Sequence, residues 1–270
     1  MGKYAQLVIG PAGCGKSTYC ERLWEHCQAI GRPVHCVNLD PAAEAFAYPV
    51  SIDVRDLVAL DDVMEEMGLG PNGGLLAAME YLEDHLQDWL GEELGGYGDE
   101  DYLVIDCPGQ IELYSHVSCF RSLVDFLKAD GWAVCAVYCL DCHFVTEAPK
   151  YIAGAMQALA AMVKLELPHI NLLTKMDLCE DRRAIEEFLI PDPALLLARL
   201  SESTAPRFRA LNTAVAQLLD EFSLVSFLAL DITDEDSIGE VLAHADVALQ
   251  FGEDADVKIR EFEGEGDDGE

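Results

Sequence analysis

Gly10-Pro11-Ala12-Gly13-Cys14-Gly15-Lys16-Ser17 stands between an apolar run, Tyr4 to Ile9, and a helix-compatible stretch, Thr18 to Ile30. The octet fits G-x-x-x-x-G-K-[ST] without a gap, and strand, loop and helix follow in the order a phosphate cradle needs. Glycines such as Gly13 and Gly15 let consecutive backbone N–H groups turn inward on phosphate oxygens. The helix that follows adds the positive end of its dipole. Lys16 is placed to reach the β- and γ-phosphates, and the Ser17 hydroxyl to hold Mg2+. A glycine-rich turn that binds nothing has no use for that lysine and hydroxyl, so the reading is a nucleoside triphosphate site.

Outward from this loop, apolar runs recur at Tyr4–Ile9, Val34–Leu39, Tyr102–Ile105, Ala133–Leu140, Ile170–Leu173 and Leu224–Leu230. They are short and near-continuous rather than alternating, as strands buried on both faces of a parallel sheet are. Helical spacing lies between them, in Gly74–Leu90 (Leu75, Met79, Leu82, Leu86, Leu90) and in Ala153–Leu165. The alternation predicts a three-layer α/β P-loop NTPase with a mostly parallel central sheet. One GTPase domain is expected over residues 1–251. A charged helical insertion around Pro191-Asp192-Pro193 is expected at about 178–222. Its arginines (Arg182, Arg183, Arg199, Arg207, Arg209) read first as a solvated face. The last stretch, 252–270, sets nine acids against Lys258 and Arg260 and lacks apolar periodicity. It is expected to be a disordered acidic tail.

Ligands of such sheets sit at the carboxyl ends of the strands, and two further motifs fall there. Asp106-Cys107-Pro108-Gly109-Gln110 follows Tyr102–Ile105. An acid at this point anchors a nucleotide-bound Mg2+, usually through water. Gly109 can bring a bare N–H to the γ-phosphate, and Gln110 stands where an amide can orient water. Asp and Gln together favour a hydrolase or switch over a kinase. Thr174-Lys175-Met176-Asp177 follows Ile170–Leu173. Asp177 can accept from both the N1–H and the N2 amine of guanine, and adenine would leave it unpaired. The Lys175 stem can lie along the purine. In third place after the other two motifs, Thr174, Lys175 and Asp177 select guanine. Asp40, in Asn38-Leu39-Asp40-Pro41, ends the second run at the same edge. It reads either as a carboxylate for a Mg2+ water or the attacking water, or as a helix N-cap before proline. The metal set is then Ser17, Asp40 and Asp106.

The formal net charge of −33 repels phosphate backbones and anionic lipid. Direct nucleic-acid or membrane binding is not expected, and proteins with basic patches are. No apolar run approaches the length of a membrane span, and no signal segment is read at the start of the chain. The ten cysteines read as reduced thiols. Cys139 and Cys142 have C-x-x-C spacing but no second pair, so that spacing alone is not taken as a metal site.

One more element joins these motifs, Gly70-Pro71-Asn72, which alone would read as a turn. With Gly10–Thr18, Asn38–Glu44, Gly70–Gly74, Asp106–Leu113 and Thr174–Leu178 together, the chain resembles the GPN-loop GTPases from Tyr4 to about Phe251. The resemblance implies a Mg2+-dependent GTPase that works as a dimer, with a related GPN-loop GTPase or with itself. The Gly-Pro-Asn loop of one subunit would reach the other's nucleotide, so that Asn72 acts in trans. It implies that Lys16, Ser17, Asp40, Asp106, Gln110 and Glu112 handle Mg2+ and water, with Cys14 and Thr18 among the nucleotide-binding residues. It further implies a role in assembly and nuclear import of RNA polymerase II, and a cytoplasmic protein that shuttles to the nucleus. Ala229 departs from the family, whose members often carry proline there in the base-binding loop. Two other readings stay open on the residues: a P-loop small-molecule kinase whose lid would be the arginine-bearing insertion, and a GTP-bound scaffold with negligible turnover.

Overall fold

The computed structural model describes residues 2–115, 117–145, 147–179, 182–189, 193–221 and 226–252. Seven strands form one sheet: β1 (Lys3–Ile9), β2 (His35–Asn38), β3 (Val50–Asp53), β4 (Tyr102–Asp106), β5 (Trp132–Asp141), β6 (His169–Thr174) and β7 (Phe227–Ala229). Their order is β3-β2-β4-β1-β5-β6-β7, and every pairing is parallel. The six apolar runs of the sequence correspond to six of these strands. The remaining one, β3, escaped the reading because four residues ending in an aspartate carry too little periodicity. The last run is trimmed to Phe227–Ala229, and 222–225 lie outside the described residues.

The inner strands are buried on both faces, so successive side chains feed opposite cores. From β1, Ala5, Leu7 and Ile9 enter one core while Tyr4 and Val8 enter the other. On the second face lie α1 (Lys16–Ala29), through Tyr19, Cys20, Leu23 and Cys27, and the last helix of the chain. On the first face lie α2 (Leu60–Met67), α3 (Pro71–His85), α4 (Gly91–Leu94), α5 (Ile111–Ser115), α6 (Cys119–Ala129) and α7 (Ala148–Leu165). Of these, α2 buries no side chain. The faces of α3 and α6 that meet the sheet carry Leu75, Met79, Leu82, Phe120, Leu123 and Leu127, the i, i+3/i+4 stripe of an amphipathic helix. Fully burying a leucine such as Leu23 contributes about 1.5–3 kcal/mol. One polar group crosses the second core. Gln6 donates to the Tyr102 hydroxyl (2.6 Å) and accepts from Tyr19 (2.7 Å), so its burial leaves neither amide atom unpaired.

Between β6 and β7 run α8 (Arg182–Leu189), α9 (Pro193–Ser203) and α10 (Arg209–Glu221). Arg182 pairs with Asp231 after β7, and the guanidinium of Arg199 lies 5.0 Å from the centre of the Phe188 ring. The expected acidic tail lies outside the described residues beyond 252. Among the described residues no helix is long and apolar enough to cross a membrane.

The closing helix, α11 (Glu235–Leu249), is capped by Asp234, whose carboxylate accepts from the Asp236 N–H. Its far end is clamped by Arg32. That guanidinium bonds both carboxylate oxygens of Asp246 (2.7 and 2.8 Å). It also lies 4.4 Å from the Tyr102 ring and 3.8 Å from that of Phe251. A bidentate ion pair between two aromatic faces is worth far more than a surface pair. Arg32→Ala is expected to cost about 2–4 kcal/mol in urea unfolding, because it also strands Asp246. Val247→Ala, on the exposed face of the same helix, should stay within about 0.5 kcal/mol.

Candidate nucleotide site

Parallel pairing brings the strand ends to one edge. Asp106 is in register with both Val8 and Asn38, and Asp141 with Thr174. The chain leaves β1 there through Gly13 (φ 74°) and Gly15 (φ 90°), left-handed conformations that glycine adopts without cost. It enters α1 at Lys16, earlier than the sequence suggested, so the whole first helical turn faces the loop. Lys16 is buried, and its Nζ donates to the carbonyls of Gly10 (3.2 Å) and Pro11 (3.3 Å), so the loop curls around its own ammonium. Ser17 is exposed on the first turn and Thr18 half-buried. The Cys14 side chain turns away from solvent to share a hydrogen bond with Cys139, which holds its thiol below the usual range against the effect of burial. The nucleotide role open to Cys14 is therefore through its backbone.

Asp106 is buried beside this loop. Its Oδ2 accepts from the Tyr48 hydroxyl (2.8 Å), and its Oδ1 is buried without a partner. Burial raises its pKa, and the nearby Ser17 and Tyr48 hydroxyls and Lys16 oppose that rise. Asp40 is also raised by burial, against a bond from the Ala42 N–H (2.9 Å) and the field of Lys16. Asp40 forms a turn rather than a helix cap. Asn38 aims it by accepting from the Asp40 N–H (2.9 Å) and donating to Asp53 (2.8 Å). Asp53 in turn grips Arg55, whose side chain reaches back to the Ala43 carbonyl (2.9 Å). A buried carboxylate with an orphaned oxygen and a half-buried one, both near one lysine, fit a hydrated divalent cation. Ser17, Asp40 and Asp106 would hold it.

Gly109 lies against the loop. A Cβ there would meet the Ala12 Cα at 2.6 Å and its nitrogen at 2.9 Å, so no other residue fits without moving the phosphate loop. Gln110 follows, with its Oε1 buried and unpartnered, an acceptor suited to a water. Glu112 is exposed on α5, one of the implied set that is not drawn into the cluster.

At the base end, the Thr174 hydroxyl donates toward the carbonyl of Cys14 (2.5 Å) and lies 3.1 Å from that of Leu140. Lys175 adopts a left-handed conformation (φ 62°), strain of the kind that functional loops hold. Its Nζ pairs with Asp141 (2.6 Å), and its carbonyl accepts from the Cys142 thiol (3.2 Å). Burial works against ionisation of Asp141, but Lys175 and His143 outweigh it and hold the carboxyl below its ordinary range. Asp177 has its Oδ1 buried and unpartnered, an acceptor suited to the two donors of guanine. Ala229 is exposed at the end of β7 in the adjoining loop.

Gly70, Pro71 and Asn72 open α3, with Pro71 at its first position, where a missing N–H costs nothing. All three are exposed, and among the described residues no hydrogen bond or ion pair joins them to the phosphate loop. Sequence reasoning missed Tyr48, Asp53, Arg55 and Asp141. Tyr48 sits in an irregular segment with no periodic signal, and the others act through partners distant in sequence.

The raised carboxyls set a pH dependence. Between the ordinary carboxylate value and the raised one, the folded chain binds more protons than the unfolded chain. Stability of the nucleotide-free protein therefore falls as pH rises through that window and recovers on acidification. Asp106→Asn should raise its melting temperature at pH 7 and flatten this dependence. The same substitution should cut Mg2+-dependent nucleotide affinity by at least about tenfold. Calorimetry with and without GDP and Mg2+ checks both.

A family model described as a conserved hypothetical ATP binding protein matches residues 8–251. GPN-loop GTPase 3 of Mycosarcoma maydis is 52% identical over 99% of each chain. The protein of the same name from Dictyostelium discoideum is 52% identical over 96% of this chain and 91% of its own, and that from Danio rerio 49% over 96% and 92%. The crystal structure of a GTPase in apo form from Pyrococcus abyssi superposes with a TM-score of 0.77 at 25% identity, covering 91% of this chain and 97% of its own. With the loop, carboxylate and base motifs meeting at one sheet edge, this likeness over nearly the full length places the chain in the GPN-loop GTPase family.

Proposed function

We propose that the chain binds GTP with Mg2+ and hydrolyses it to GDP and phosphate as one subunit of a dimeric switch. The observation that carries this is the bond from Thr174 to the Cys14 carbonyl, which joins the guanine-selecting motif to the phosphate loop. It supports a single nucleotide held at both ends. The ATP of the family description fits the orphaned Asp177 oxygen less well than GTP, since adenine lacks the adjacent N1–H and N2 amine donors of guanine.

The chemistry of such a site is positioning and charge stabilisation. The 13–17 backbone N–H groups and Lys16 take up charge on the β- and γ-phosphate oxygens. Gly109 brings a further N–H to the γ-phosphate. Mg2+, held through Ser17, Asp40 and Asp106, supplies neutralisation of phosphate charge when bound. Gln110 accepts from the attacking water through the oxygen that lacks another partner. Asp40 polarises the same water, and Glu112 belongs to the set by family resemblance. Asn72 of the partner subunit donates its amide to the reaction centre, so turnover reports the geometry of the dimer. The exposure of Gly70-Pro71-Asn72 and the absence of buried side chains in α2 are compatible with an arm that reaches outward.

The biological role we infer is assembly and nuclear import of RNA polymerase II, with a related GPN-loop GTPase or a second copy as partner. It rests on the family resemblance. The strongly acidic body suits basic protein surfaces and disfavours nucleic acid and membranes. A cytoplasmic protein that shuttles to the nucleus follows from the same reading. The kinase alternative is not favoured, because Arg182 and Arg199 of its would-be lid are engaged with Asp231 and Phe188.

Single-turnover hydrolysis by the purified full-length chain, alone and with its partner, tests the proposal. Gln110→Ala should lower the rate about 100-fold or more with GTP affinity retained. An unchanged rate would leave the scaffold reading. Asn72→Ala should slow hydrolysis about tenfold or more with near-normal affinity, and only in the dimer. Lost affinity at unchanged turnover would remove the trans role. Asp177→Asn should weaken GTP binding about 100-fold while leaving ATP binding as weak as before. Equal affinity of the unaltered chain for ATP and GTP would end the guanine reading.

A further inference from the structure

The C-x-x-C pair at the end of β5 is split by the strand. Cys139 packs in the core of the α1 face against Cys14, while Cys142, the first residue past the strand, lies on the other side. What Cys142 meets there is a different set of donors. Its Sγ is 3.8 Å from Nδ1 of His143, and that Nδ1 is 2.6 Å from Oδ1 of Asp141. The three ligand atoms lie within 4.8 Å of one another. Ligand atoms around tetrahedral zinc stand about 3.3–3.7 Å apart, given bonds of about 2.0–2.3 Å. Small shifts reach that spacing, because the imidazole is 63% exposed and able to turn. A thiolate, an imidazole and one carboxylate select a thiophilic divalent cation over Mg2+. Water completes the shell on the exposed side.

We propose that Asp141, Cys142 and His143 form a Zn2+ site whose occupancy opposes nucleotide binding. Coordination replaces the Cys142 S–H bond with S–Zn and releases that proton to solvent, and the proton shared by His143 Nδ1 and Asp141 leaves Nδ1 for Nε2 or for solvent as Nδ1 binds the cation. The thiol then has no hydrogen to donate to the Lys175 carbonyl, a bond that supports the strained conformation of that residue. The cation also shares the Asp141 carboxylate that pairs with Lys175. Both changes loosen the residue read as lying along the purine. This coupling rests on the guanine reading of Lys175 and Asp177, whereas the metal site itself does not.

The test uses the nucleotide-free, full-length protein. Zn2+ is titrated in competition with a chromophoric chelator, and Co2+ is followed by its thiolate charge-transfer band. One equivalent and a clear band are expected from the unaltered chain, with both lost in His143→Ala and Cys142→Ser. The exposed histidine variant guards against loss through misfolding, which circular dichroism monitors. Equal stoichiometry and band in His143→Ala, or no band at all, would overturn the site. GDP should then weaken Zn2+ binding about tenfold, and Zn2+ should weaken GDP binding by the same factor, since coupling is reciprocal. Zn2+ affinity unmoved by saturating GDP would overturn the coupling. A chain that binds Zn2+ but no guanine nucleotide would instead refute the function proposed above.

Discussion

One hydroxyl holds the two halves of the site together. Thr174, at the end of β6, bonds the carbonyl of Cys14 in the phosphate loop and that of Leu140 at the end of β5. These segments are far apart in sequence, and parallel pairing brings them to the same edge. The Cys14 carbonyl is thus engaged by a side chain, while its own N–H bonds the Pro11 carbonyl (3.3 Å). That bond from Thr174 ties the cradle directly to the base-reading turn. The sheet sets their separation, since the strands that carry them are paired in register.

The carboxylates show the opposite balance. Asp106 is buried and Asp40 half-buried near a single lysine, and desolvation pushes both toward protonation. Hydroxyls from Tyr48 and Ser17 relieve Asp106 in part, yet one of its oxygens has no partner. Such a group weakens the fold on its own and is retained for what it can hold. Asp53 and Arg55 play a supporting part. Through Asn38 they fix the turn that carries Asp40, so a short edge strand determines the aim of that carboxylate.

The Lys175 turn is a second place where strain and function coincide. A lysine with positive φ persists because its ammonium, its carbonyl and the segment after it are all tied down, by Asp141, by Cys142 and by the Met176 N–H bond to the Leu230 carbonyl. The specificity end of the site is thus built from β5, β6 and the loop after β7 together. The exposed start of α3 contrasts with it. Gly70, Pro71 and Asn72 are exposed, with proline fitted to the first turn.

Much of this was legible in the order of residues, because the chemistry is local. Gly13, Gly15, Lys16 and Ser17 act within a single turn, Gly109 and Gln110 follow their strand directly, and Thr174 to Asp177 form one loop. Continuous apolar runs between them announced a doubly covered parallel sheet, since only strands buried on both faces dispense with alternation. What sequence could not supply were the relations between distant segments: β3 as the edge strand, Tyr48 on Asp106, Asp141 on Lys175, and the separation of Cys139 from Cys142. The first is too short to show a period, and the rest are set by strand register and by the side of the sheet each residue faces. Short-range geometry is written in neighbouring residues. Which carboxylate meets which hydroxyl across the sheet edge is decided only when the strands have packed.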